Sequence, residues 1–299
     1  MTENANLRDL EQAAADLEAR LATADLTPEI VREATSVFGE LGRDEAIIEL
    51  LARYLDRPLA AEEEAWARWE MVNQLTVLDR CDGAVEAQLA LLRWARQGLP
   101  ADRLLWVMAD ETQALCWVAV GRHEEWLRIF EELLARAAPA PPNRLDRLRL
   151  MRTAGVMLAQ LQRQDAALDV ARMMRGIADE DPDWAWAFWA RAESRIVQLH
   201  AYQASGTREA LRTAAVAVMK LLDHQHERLK RGEGAVADPV MLRTLYQSAA
   251  VPVYRAGEYA LAVPLLERAI ELGATAPDVF ESLSRARARL ESDRPRFEE

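Results

Sequence analysis

The 299-residue sequence is short of nearly everything that marks a disulfide-built, metal-bound or membrane-spanning protein. It has two cysteines, Cys81 and Cys116, which make no disulfide framework and suit a reducing compartment. Histidine is equally scarce: His123, His200, His224 and His226. His224 and His226 stand at i, i+2, which sends the two rings to different sides of a helix, whereas a metal site prefers i, i+4 with a third ligand. With Lys220, Lys230 and Arg231 around it, this pair reads as a solvated helix end, and neither metal nor cofactor is expected. Those two lysines are the only ones among 37 basic residues; the arginine bias fits a GC-rich bacterial genome. Only 12 glycines and 12 prolines stand against 51% apolar residues, a balance that excludes wholesale disorder. No run approaches the roughly 20 apolar residues that span a bilayer. The start, Met1 to Asn6, is polar and has no signal-peptide core. A net charge of −12 opposes nonspecific attraction to nucleic acid or an anionic membrane. The expectation is a soluble, cytoplasmic protein with no membrane partner and no direct nucleic-acid partner.

What is abundant is helix. Ala, Leu, Arg and Glu dominate, all strong helix formers, and apolar residues recur at spacings of three and four almost throughout. Punctuation cuts this pattern into short pieces. Thr27-Pro28 opens a helix that Gly42 closes; Arg43 to Asp56 and Ala60 to Leu78 follow, then a turn at Asp82-Gly83. Further helices are expected over 101–120, 144–162 and 165–178, with a Trp-rich helix opening at Asp181-Pro182-Asp183 and ending near Gly206. Helices over 207–230, 239–256, 258–272 and 277–291 complete the chain. Turns within pairs thus fall near 42, 83, 121, 163, 206 and 257, a helix–turn–helix period near 40 that signals an α-solenoid of about six antiparallel hairpins.

The last hairpin carries a specific pattern: Gly257, an aromatic two residues on at Tyr259, Ala262 at +5, Leu266 at +9 and Ala269 at +12. This resembles the second half of a tetratricopeptide repeat (TPR), in which small residues let two helices approach closely. Earlier units keep the stripe more loosely, as in Gly121 with Trp126, Phe130 and Leu133, or Gly206 with Ala210, Ala214 and Ala217. The resemblance implies a right-handed superhelix of divergent repeats over residues 27–273. Residues 1–26 would form a capping helix, with an apolar stripe of Leu7, Leu10, Ala14, Leu17 and Leu21, and 274–299 a capping helix with a charged tail.

Chemistry is thin. There is no Gly-rich phosphate loop, GxSxG elbow, HExxH or CxxC motif. The acidic run Asp179 to Asp183 reads as helix capping, Cys116 as a small buried hydrophobe, and the arginines at 144, 147, 149 and 152 as a solvated face. Of the nine tryptophans, Trp94, Trp117 and Trp126 fall on the packing stripe. The reading is therefore a non-catalytic scaffold that binds a protein or peptide, with homo-oligomerisation left open. In TPR-like arrays the first helix of each hairpin lines the ligand groove, and phase from the turns selects Asn73, Arg80, Glu111, Met157, Gln160, His200, Gln203, Gln247 and Tyr254, with Val77, Leu115 and Val251 beside them. Two other readings stand next to it. One is a glycan-active (α/α)6 toroid with Glu111 and Glu193 as its acids; the other is the ligand-sensing module of a regulator acting through another chain.

Overall fold

The computed structural model describes residues 2–23, 25–98, 107–108, 110–136, 144–232 and 237–292; the side chains of 2–6, 23, 98, 111 and 136 are outside the description. Among the described residues the secondary structure is helical, with no strand. The order is α1 (Thr2–Thr23), α2 (Pro28–Glu40), α3 (Asp44–Leu55), α4 (Ala61–Val77), α5 (Cys81–Gly98), α6 (Glu111–Ala119) and α7 (His123–Arg136), then α8 (Arg144–Gln160), α9 (Gln164–Glu180), α10 (Ala187–Ser205), α11 (Arg208–Lys230), α12 (Pro239–Arg255), α13 (Tyr259–Glu271) and α14 (Pro277–Ser292). The chain divides into two compact units, Met1–Ala138 and Pro139–Glu299. The first is α1 followed by the hairpins α2/α3, α4/α5 and α6/α7; the second is α8/α9, α10/α11 and α12/α13 followed by α14.

One turn geometry builds all six hairpins. A residue with positive φ follows each first helix: Gly42, Asp79, Gly121, Gln162, Gly206 and Gly257. The amide of the next residue then donates back across the turn, Arg43 to Phe38, Arg80 to Leu75, Arg122 to Trp117, Arg163 to Leu158, Thr207 to Tyr202 and Glu258 to Val253, at 2.8 to 3.1 Å. These are Schellman closures, which satisfy carbonyls that a helix end would otherwise strand. The carbonyl of the same residue accepts the first bond of the second helix, for example from Ala84 to Arg80 at 2.9 Å and from Ala262 to Glu258 at 3.0 Å. A single residue therefore finishes one helix and starts the next.

Three sequence expectations need correction. The second turn lies at Leu78 to Arg80, not at Asp82-Gly83, because Asp79 takes the left-handed conformation at φ 56°. Gly83 sits instead in the first turn of α5, where a Cβ would come within 3.3 Å of Leu75 Cδ2, so it serves close helix approach. The helix expected over 101–120 is not continuous: Asp110 is extended, and its carboxylate accepts from Gln113 N at 2.9 Å to cap α6. Residues 101–106 lie outside the described residues. Finally, Trp184 and Trp186 precede α10 in turns closed by Trp184 N to Asp181 O and Ala187 N to Trp184 O.

Each unit has its own core. In the first, α1 contributes Ala14, Leu17 and Leu21 against Val31, Ala34 and Phe38 of α2 and Ile47, Leu51 and Tyr54 of α3. In the second, α10 to α14 meet around Ile196, Leu211, Val218, Leu242, Tyr246, Leu265 and Leu283. Burial of this kind, at roughly 25 cal/mol per Å² of apolar surface, is what holds short helices that would be marginal in isolation. Of the three tryptophans on the packing stripe, Trp117 and Trp126 are fully buried in the first unit, while Trp94 is half-buried.

Candidate functional site

In the first unit an open groove of about 510 Å³ runs between the first helices of neighbouring hairpins, lined by Arg32, Ser36, Gly39 and Glu40 of α2 and Trp66, Glu70 and Gln74 of α4. Helical spacing puts Trp66, Glu70, Gln74 and Val77 on one face of α4. One side of the Trp66 ring carries the Arg32 guanidinium, 4.2 Å from its centroid. Arg32 Nη2 in turn donates to both Glu63 carboxylate oxygens at 3.0 and 3.2 Å, which fixes the arginine in that stacked position. Glu70 accepts from Gln74 Nε2 at 2.7 Å. Beyond Gln74 the face ends on Val77, which is 68% exposed, and α6 presents Leu115 at 41%.

Beneath this face runs a chain of amides. Trp117 Nε1 donates to Gln88 Oε1 at 2.6 Å, Gln88 Nε2 donates to Gln113 Oε1 at 2.9 Å and to the Val107 carbonyl at 2.7 Å, and Gln113 Nε2 donates to Asn73 Oδ1 at 2.8 Å. Asn73, expected in the groove, is half-buried and ends this network. Arg80, expected there too, is exposed at the hairpin turn, where it pairs with Glu45. The side chain of Glu111 lies outside the described residues.

In the second unit the expected residues are more scattered. Gln160 is exposed, while Gln203, Gln247 and Tyr254 are half-buried. Met157 is only 2% exposed and belongs to the core, which corrects its reading as an adaptable groove contact. The reason is α8 itself: from Leu148 to Ala159 every residue except Arg149 and Arg152 is buried, since this helix packs against both α9 and α10. His200 is 8% exposed; burial lowers its pKa to about 4, and the positive charges of Arg152 and Arg255 push the same way. Tyr254 meets Tyr259 edge-on with centroids 5.5 Å apart, and both line a cavity of about 630 Å³ with Arg285, Ala288, Arg289 and Ser292.

The remaining charged candidates are spent on ion pairs. Glu193, one of the two acids considered for a toroid, is buried and bonded to Arg152 Nε at 2.7 Å, so its carboxylate serves packing between α10 and α8. Arg144 bonds Asp181 at 2.8 Å and Arg191 bonds Asp179 at 3.1 Å, so these acids meet arginines rather than cap α10, whose start has no side-chain cap. Among the described residues no cluster of three or more His, Cys, Asp or Glu could hold a metal ion, and no helix is long and apolar enough to cross a membrane.

Sequence reasoning missed the Arg32–Trp66 stack; an aromatic on a first helix, one hairpin on from an arginine, was the available signal. It also missed a ladder of turn residues. Arg43 pairs with Glu18 at 2.8 Å, Arg80 with Glu45 and Arg122 with Glu86 at 2.5 Å, each reaching back to the preceding hairpin or cap. In the last hairpin the signs reverse, with Glu258 accepting from Arg212 at 2.7 Å.

No protein-family model matches the chain, and no curated protein matches it. Among solved structures it is similar to a tetratricopeptide repeat protein from Parabacteroides merdae ATCC 43184, with a TM-score of 0.52, 12% identity, and coverage of 96% of this chain and 95% of that one. Hairpin succession, turn geometry and this likeness define the chain as an all-α, TPR-like helical-repeat protein.

Proposed function

We propose that the chain is a non-catalytic scaffold that binds an extended peptide or protein segment along the first-helix face of its N-terminal unit. The observation that carries this reading is the groove between α2 and α4 and its continuation onto Val77, an apolar side chain 68% exposed. Three of the exposed large hydrophobics, Val77, Leu115 and Val251, occupy groove-facing positions expected from phase alone. Exposed apolar residues flanked by polar ones are what a binding face requires. Glu40 and Glu70 line the groove and make no ion pair among the described residues, and Arg32 is already committed to Glu63, so the face suits an apolar side chain next to a basic one. In the second unit Gln160, Gln203, Gln247 and Tyr254 are the residues we assign to partner contact. We take the chain to work in the cytoplasm, a reducing compartment that its two free cysteines suit, and its −12 charge to disfavour nucleic acid and membrane as partners.

The test is comparative capture from the native host. Full-length protein and the double variant Trp66→Ala/Val77→Asp, both confirmed as folded by circular dichroism, are immobilised and their retained proteins quantified. Proteins depleted at least tenfold by the double variant are the partners expected. An identical retained set for both proteins sinks the reading.

A further inference from the structure

The two cysteines, 35 residues apart, meet in the first unit: Cys81 Sγ lies 2.7 Å from Cys116 Sγ. Cys81 is the first residue of α5 and is half-buried; Cys116 is on α6 and only 3% exposed. Both are free thiols. Bonding them requires the sulfurs to close by about 0.7 Å to the ~2.05 Å of a disulfide. Asp79 Oδ1 lies 3.5 Å from Cys81 Sγ, yet among the described residues no group of three or more His, Cys, Asp or Glu is arranged to hold a metal ion.

We propose that Cys81 and Cys116 are a dithiol site that a low-molecular-weight disulfide, such as oxidised glutathione, converts into an intrachain bond stapling the second hairpin of the first unit to the third. The more accessible Cys81 reacts first. Its thiolate attacks one sulfur of the small disulfide, that S–S bond breaks, and one small thiol leaves. The Cys116 thiolate then attacks Cys81 Sγ and expels the second small thiol. Two cysteine thiols are oxidised, one small disulfide is reduced to two thiols, and the two cysteine protons end on them.

The surroundings set the tempo. Burial pushes the Cys81 thiol up to about 12, and its contacts with Cys116 and Asp79 add to the rise. Little thiolate exists at neutral pH, so uncatalysed formation is slow. Once the bond forms, Cys116 Sγ is only 3% exposed, so a reductant reaches the bond from the Cys81 side. Slow closure is the behaviour of a staple set by sustained oxidising conditions, not of a rapid peroxide sensor.

The experiment uses the full chain, fully reduced and then incubated with oxidised glutathione at mildly alkaline pH, quenched by alkylation and weighed intact. The expected product is a monomer lighter by two hydrogens, with no alkylated cysteine and a linked Cys81–Cys116 peptide pair after digestion. Its Tm should rise by about 5–10 °C and fall back on treatment with dithiothreitol. Cys81→Ser, at a half-exposed position, should keep the helical circular dichroism and show neither the mass loss nor the Tm rise. Two alkylated cysteines, a persistent glutathione adduct on Cys81 beside a free Cys116, or a disulfide-linked dimer would each overturn the proposal. The wild-type comparison before and after reduction needs no variant to fold.

Discussion

The indole N–H of Trp117 donates to Gln88 Oε1 at 2.6 Å, tying a fully buried α6 ring to the one α5 side chain that also holds Gln113 and the Val107 carbonyl. Removing the Gln88 amide strands several polar groups at once. Gln88→Leu should destabilise the first unit by about 2–3 kcal/mol, since each buried orphan carries about 1–3 kcal/mol of desolvation. Urea unfolding followed by circular dichroism measures this; a loss below about 0.5 kcal/mol would mean that the network adds nothing.

Two helical glycines should answer alanine with opposite signs. At Gly155 a Cβ would lie 2.6 Å from Val197 Cγ1 and 3.1 Å from its Cγ2, a clash that a short branched side chain cannot relieve by swinging away. Gly155→Ala should cost about 1–3 kcal/mol despite better helix propensity, and Val197→Ala in the same chain should recover part of it. Gly176 on α9 has nothing within 4 Å of such a Cβ. Gly176→Ala should stabilise by about 0.5–1 kcal/mol. Thermal melts of the three variants against the wild type decide both.

His200 ties stability to mild acid. Its folded pKa, about 4, lies below the ordinary 6.5, so the unfolded chain takes up a proton first. Between pH 6.5 and 4 stability should therefore fall as pH falls, by about 3 kcal/mol at the acid end, with no penalty above that window. His200→Gln should flatten this limb of the stability–pH profile. An unchanged slope would show that other groups govern it.

The positive φ of 58° at Gln162 places a side chain where glycine is preferred. Gln162→Gly should stabilise the second unit by about 0.5–1 kcal/mol, after the larger backbone entropy of glycine is discounted. The change should show as a rise in the urea midpoint with the slope unaltered.

These positions also explain how far the sequence could be read. Turns marked by Gly42, Gly121, Gly206 and Gly257 were legible because glycine advertises the left-handed conformation. Asp79 and Gln162 adopt it without that signature, so the second turn was displaced onto Gly83, whose real task is to let α5 approach Leu75. Two positions chosen by phase, Val77 on α4 and Leu115 on α6, are exposed. Phase failed at Met157, since a helix buried almost all round has no free face for it to select. The cysteine pair was invisible, because proximity across 35 residues depends on hairpin packing that no local pattern encodes.

Because one residue both ends the first helix and begins the second, each hairpin has no slack at its tip. An inserted residue there would rotate the second helix by about 100° about its own axis and turn its buried stripe toward water. At the joint between α11 and α12 the two tasks are separated: Arg231 ends one helix and Asp238, seven residues on, caps the other. Length variation, whether natural or engineered, is therefore channelled to the joints between hairpins, and a tag or inserted domain belongs there rather than at any of the six tips.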